Sequence, residues 1–324
     1  MSDIALERMP ELALDWHKAG RGAVMATVVE TWGSAPRAVG SQMVVSGAGE
    51  MEGSVSGGCV EGAVVLEAME LVGSGAAKLL EFGVSDDEAF AVGLACGGRI
   101  RVLVEPVGGS LPVALLEDLV AARSARRQVA YVADLEGGAR RLAGFADHPD
   151  RFRMDRSGVE EDGRTFVHVH NPPLRMLIVG AVHIAQALVP IARIAGHDVS
   201  VIDPRPAFGA AARFPGVDIV EDWPDEALAA LGLDARTAVV TLTHDPKLDD
   251  PAIRATLASD VYYLGCLGSS RTHAKRVARL EEAGFTQDQI ARIHAPVGLD
   301  IGARGPGEIA VSVLAQITQR LRRG

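Results

Sequence analysis

From residue 174 onward the chain alternates short apolar runs with amphipathic stretches, and that rhythm admits few folds. Apolar runs at 175–179, 198–202, 238–242 and 261–264 predict strands, and the segments 182–195, 225–231, 251–258 and 272–283 carry helical spacing. Strands joined through helices run parallel, because each helix returns the chain to the edge where the last strand began. A doubly wound parallel sheet follows. A last helix over 308–321 puts Ile309, Val313, Ile317 and Leu321 on one face, and Arg320, Arg322 and Arg323 complement the negative end of its dipole. Asn171-Pro172-Pro173 breaks the chain just before this pattern and marks a boundary.

The part before the boundary reads as α+β. Pro10 sits in the first turn of a helix over 10–19 that stops at Gly20. Residues 22–31 read as a buried strand, and 41–46 and 51–56 flank Gly47-Ala48-Gly49-Glu50 as a hairpin. Val64, Val65, Ala68, Met69 and Val72 give 60–72 a helical repeat, and 99–104 is a further strand. A helix over 112–123 leads into a polar region where 128–134, 140–145 and 165–169 are expected to form a small antiparallel unit. The predicted domains are 1–110, then 111–172 as helix, small β unit and linker, then 173–324.

Composition removes several function classes. A net charge of -10 spreads no basic field for nucleic acid or for an anionic membrane. The N-terminus shows no signal peptide, and the longest apolar stretches are far too short to span a bilayer. Three cysteines, an odd number, fit a reducing cytoplasm. No Cys-x-x-Cys or His-x-x-x-His spacing suggests structural zinc.

Two of those cysteines sit in mirrored settings, Gly57-Gly58-Cys59 and Cys96-Gly97-Gly98. Glycine lets the main chain take positive φ and lets a bulky ligand come close. A thiol presented that way can act as a thiolate nucleophile or as a ligand to a soft metal. Cys59 also falls where a strand ends and a helix begins, so the amides of the Gly pair, together with Ser56, are read as an anion receptor. The same residues also suit a tight turn with a packed cysteine.

Other loops carry single charges or donors. Arg37, after Pro36 in a loop leaving a buried strand, can fork onto a phosphate or carboxylate. Gly180 and Ala185 match the outer positions of a dinucleotide fingerprint, but Val182 stands where the middle glycine admits pyrophosphate. Asp203 lies 23 residues after Gly180, where an acid would hold a ribose. The C-terminal sheet is therefore expected to be Rossmann-like, with NAD(P) binding disfavoured. His244 follows a strand as a donor or acid, although Asp245-Pro246 also reads as a helix cap. Ser269 and Arg271 open another helix and can grip a phosphate, with Cys266 a buried filler beside them.

Taken in order, Gly33-Ser34-Ala35-Pro36-Arg37, Gly53 to Glu61, Cys96-Gly97-Gly98, the loop at Gly180, Asp203-Pro204-Arg205, Thr243-His244-Asp245, Leu264 to Arg271 and Gly298-Leu299-Asp300-Ile301-Gly302-Ala303 resemble the XdhC/CoxI family. These are accessory factors for xanthine dehydrogenase and related molybdenum hydroxylases. The resemblance implies a chaperone rather than a turnover enzyme. It implies binding of the molybdenum cofactor (molybdopterin), help with its sulfuration by a cysteine desulfurase, insertion into the apo-hydroxylase, and a homodimer. Cys59 is then the principal contact with molybdenum or transferred sulfur and Cys96 the second, while Arg37 or Arg271 suits the cofactor phosphate. Two other readings compete: an NAD(P)-dependent oxidoreductase using Gly180, Asp203 and His244, and a structural partner that docks on the hydroxylase without touching cofactor.

Overall fold

The computed structural model describes residues 8–33, 37–83, 98–206, 208 and 211–323. The chain divides into two compact units, Met1–Asn171 and Pro172–Gly324.

In the first unit, α1 (Met9–Lys18) precedes β1 (Val24–Trp32), β2 (Gln42–Val45), β3 (Met51–Gly53), α2 (Glu61–Leu71), β4 (Lys78–Gly83) and β5 (Arg99–Pro106). Next come α3 (Val113–Ser124), β6 (Val129–Asp134), β7 (Arg140–Ala143), α4 (Pro149–Met154), β8 (Gly158–Val159) and β9 (Thr165–His170). Two antiparallel sheets result, ordered β3-β2-β1-β5-β4 and β7-β6-β9-β8. β1 lies at the centre of the larger sheet. Val24, Ala26 and Val28 pack with Val64 and Ala68 of α2, whereas Met25 and Val29 join a core with Leu116, Leu119 and Phe166. A strand covered on both faces needs apolar residues at successive positions, which is why this segment reads as a run. The register against β5 shifts between Val28 and Glu30, a β-bulge.

In the second unit the elements are β10 (Leu174–Val179), α5 (His183–Ile194), β11 (His197–Ile202), β12 (Asp218–Val220), α6 (Pro224–Leu231) and β13 (Thr237–Thr241). They continue as α7 (Pro246–Leu257), β14 (Tyr263–Cys266), α8 (Ser270–Glu282), α9 (Gln287–Ile290), β15 (Ile293–His294) and α10 (Pro306–Arg323). All strands are parallel, in the order β12-β11-β10-β13-β14-β15. This is the doubly wound order, reversing direction between β10 and β13. Leu188 and Ala192 of α5 share one core with Val313 and Ile317 of α10. Leu228, Ile253, Leu257 and Leu280, from α6, α7 and α8, share the core on the other face. Among the described residues no helix is long and apolar enough to cross a membrane.

Some boundaries differ from the sequence expectation. The helix expected at 251–258 begins at Pro246, because the Asp245 side chain accepts from Lys247 N (2.9 Å) and caps it. Pro251 therefore lies inside α7 rather than at its start. The strands β4, β12 and β15 have no counterpart in the sequence pattern. β12 and β15 have three and two residues, too few to show a period, and β4 is an edge strand with mixed exposure.

The first unit also buries charge. Tyr131 Oη donates to Glu105 Oε1 (2.8 Å) and Oε2 (3.0 Å), and Arg140 Nε donates to Glu105 Oε1. The Glu105 and Arg140 side chains are 2% and 3% exposed. Burial pushes the Glu105 carboxyl above its ordinary range against the pull of Arg140 and Tyr131. Arg140→Met removes the partner and strands the acid. Urea unfolding should show a loss of about 3–5 kcal/mol. A loss below about 1 kcal/mol would mean that Glu105 folds without its charge.

Candidate functional site

The loop from Ser54 to Val60 is built around one carboxylate. Glu61, in the first turn of α2, is 5% exposed and turns back into the loop. Its Oε1 accepts from Ser54 Oγ (2.7 Å), Val55 N (3.2 Å), Ser56 N (2.8 Å) and Gly57 N (3.0 Å). Its Oε2 accepts from Gly58 N (2.9 Å) and from Ser56 Oγ. The Ser56 hydroxyl in turn accepts from Cys59 N and Val60 N, each at 3.0 Å. Every backbone N–H from Val55 to Val60 thus has an acceptor within the loop. Burial alone would raise the Glu61 carboxyl, but the Ser56 and Ser54 hydroxyls and the amides bring it down to about 2.

This corrects the expectation of an open anion receptor at Gly57-Gly58. The receptor exists, and the chain's own carboxylate fills it. What remains accessible is the outer face. Gly57 and Gly58 are exposed at φ of 82° and 117°, and nothing lies within 4 Å of where a Gly58 Cβ would stand. Cys59 is half-buried and packs against the core that holds Val55, Val60 and Val64. Cys96 and Gly97 lie outside the described residues; Gly98 leads into β5.

Arg37 is half-buried and has no ion-pair partner among the described residues. Its loop continues to Gly40, which rests against His168: a Cβ at Gly40 would stand 3.1 Å from His168 Nε2. His168 stacks near Phe166 and meets His170 at 4.1 Å between ring centres. Both rings are buried, and burial first, then nearby Arg123, lowers the His168 pKa to about 3.

In the second unit the loops after β10, β11, β13 and β14 hold the other expected residues. Gly180 has φ of 109°, and a Cβ there would meet Thr243 Cγ2 at 2.6 Å. The glycine thus serves close packing between the β10 and β13 loops. Asp203 is fully buried, and its carboxylate accepts from Ala181 N (2.8 Å) and from Arg205 N, Nε and Nη2 (3.0, 2.8 and 2.8 Å). The acid placed for a ribose is engaged within the fold. Ser269 caps α8 by accepting from Thr272 N (3.2 Å). His244 takes a left-handed φ of 61°, unusual for a residue with a Cβ. It lines a cavity of about 220 Å³ together with Arg271. Cys266 is fully buried, and burial pushes its thiol up to about 11. Among the described residues no cluster of three His, Cys, Asp or Glu side chains is placed to hold a metal ion.

Two residues of consequence escape the sequence pattern. Glu61 stands there only as part of the segment at Cys59, although an acid three residues after a Gly pair is placed to fold back on those amides. Arg276 lines the cavity yet is 2% exposed. Its signal is its position four residues before Leu280, on the buried stripe of α8.

Comparison with known proteins gives consistent matches over both units. Residues 176–317 match the XdhC Rossmann domain, and residues 16–83 match the XdhC and CoxI family. The chain is 32% identical over 305 residues to the Escherichia coli molybdenum cofactor insertion chaperone PaoD, covering 92% of this chain and 83% of that one. It is 29% identical over 324 residues to a Bacillus subtilis protein named as a probable xanthine dehydrogenase subunit, covering 93% and 94% of the two chains. A crystal structure described as a xanthine dehydrogenase from Bacillus halodurans aligns with a TM-score of 0.56 at 27% identity, covering 97% of this chain and 96% of that one.

Two outcomes test these loops. The Glu61 pKa is lowered by folding, from 4.5 to about 2, so its stabilisation is complete above pH 4.5 and is lost as pH falls through 2. Wild-type and Glu61→Gln chains should differ by about 3 kcal/mol near neutral pH and converge on acidification. A gap that does not change with pH would refute the carboxylate's role. Iodoacetamide should leave Cys266 unmodified in the folded chain and label it in urea, read by peptide mass; labelling of Cys266 at the same rate in both would contradict its burial.

Proposed function

The chain belongs to the XdhC and CoxI family, and from that premise we propose that it carries the molybdenum cofactor and supports its insertion into a molybdenum hydroxylase of the xanthine dehydrogenase type. The observation that carries this reading furthest is the rigid Ser54–Glu61 loop, which offers an exposed Gly57-Gly58 surface beside Cys59. A flat pterin can approach a main chain that has no Cβ. A thiolate at Cys59 suits molybdenum or a sulfur in transfer. Cys96 is proposed as the second sulfur contact. The cofactor phosphate is assigned to Arg37, the side-chain cation in the same unit as Cys59, because the amides of the Gly loop are taken by Glu61. Cooperation with a cysteine desulfurase, a homodimeric state and a cytoplasmic location belong to the same proposal.

The nicotinamide reading is the weaker one. Val182 stands at the middle position of the fingerprint, Thr243 packs on Gly180, and Asp203 is bonded to Ala181 and Arg205. A dinucleotide would have to displace these contacts.

Cys59→Ala tests the main reading. Purified from a host that makes the cofactor, the wild-type chain should carry pterin, read as fluorescence after oxidation. The variant should carry at least about tenfold less, the order of one lost strong contact. Unchanged pterin content and unchanged activation of the hydroxylase would remove Cys59 from the mechanism.

A further inference from the structure

The cavity beside His244 lies between α7 and α8, one strand away from the β10/β13 crevice. Its lining includes Arg271, Lys275, Arg276 and Arg279 against two acids, Asp249 and Asp250. Arg279 is matched to Asp250 by two bonds, at 2.6 and 2.9 Å. Arg276 is different. Its Nη2 donates to Leu267 O (3.1 Å) and stands 3.8 Å from Asp249 Oδ2, yet Nε and Nη1 have no hydrogen-bond partner although the residue is 2% exposed. Buried guanidinium donors without acceptors are costly, and a native fold seldom leaves them so.

We infer that this cavity is an oxyanion site that takes a phosphate group, with Arg276 supplying its innermost donors and Arg271 and Lys275 closing over it from the first turns of α8. Its volume, about 220 Å³, is below the range typical of pockets for whole drug-sized ligands and fits one phosphoryl group with part of what it is attached to. Guanidinium groups match the fork geometry of phosphate oxygens. Asp249 shares the cavity: its Oδ1 accepts from Thr243 Oγ1 (2.6 Å), while its Oδ2 has no hydrogen-bond partner and faces Arg276 as an ion pair, so the charges left for an anion are those of Arg271 and Lys275. The site stands independently of the molybdenum cofactor reading, since it is argued from donors that need an acceptor.

Orthophosphate and AMP are the probes, titrated calorimetrically into the full chain with chloride balancing ionic strength. Saturable one-to-one binding is expected, weakened about tenfold by Arg271→Ala or by Lys275→Ala, the loss of one charge-assisted contact. Arg276→Met should abolish it. Because that change is buried and can harm folding, the two exposed variants decide the matter. Tighter binding of AMP identifies a phosphate ester as the ligand, and binding of orthophosphate alone identifies the free anion; each supports the site. Absence of saturable binding by both probes, or binding indifferent to Arg271 and Lys275, overturns it. Cys59→Ala should leave the phosphate titration unchanged, so this test and the pterin test can fail separately.

Discussion

One carboxylate organises the most reactive loop of the molecule. Glu61 takes four backbone amides and two hydroxyls, and the Ser56 hydroxyl takes two more amides. Glycine main chain is otherwise free to move, and Gly57 and Gly58 have positive φ that other residues adopt at a cost. The ionised side chain converts that freedom into a fixed surface. Charge-assisted bonds are stronger than neutral ones, so the loop is held at neutral pH without any ligand. Cys59 is held both by this network, through its N–H on Ser56 Oγ, and by its packing on the core with Val55 and Val64.

The second unit uses the same device. Asp203, at the end of β11, ties the β10 loop to its own through Ala181 and is held within its own loop by Arg205. Thr243 fills the space beside Gly180 and hands its hydroxyl to Asp249. The crevice at which doubly wound sheets bind dinucleotides is thereby knitted together by side chains. Two unsatisfied guanidinium donors lie one strand away, on Arg276.

The alternation after residue 174 was legible because helices and strands bury their apolar sides with different periods, and both units repeat those periods over several residues. The two-residue β15 and three-residue β12 escaped, since no period fits in so short a span. Pro251 misled in a specific way. Proline favours a first turn, but Asp245-Pro246 offered an earlier start with a cap attached, and the cap decided where the helix began. For the site, the glycines and Cys59 could be found by composition alone. Their hydrogen-bond partner could not, because an acid on a helix is usually solvated and only the fold shows Glu61 turned inward. Arg276 was hidden for the same reason.

The loop that carries Arg37 ends on Gly40, and Gly40 rests on His168, whose ring meets that of His170 inside the first unit. With His168 titrating near 3 and His170 lower than its ordinary value, these rings act as uncharged aromatic paving throughout the range in which a cell operates. Mild acidification, which alters many histidine-based hinges, would leave this foundation electrically silent. The turn at Gly40 keeps the same footing whether its surroundings are neutral or sour.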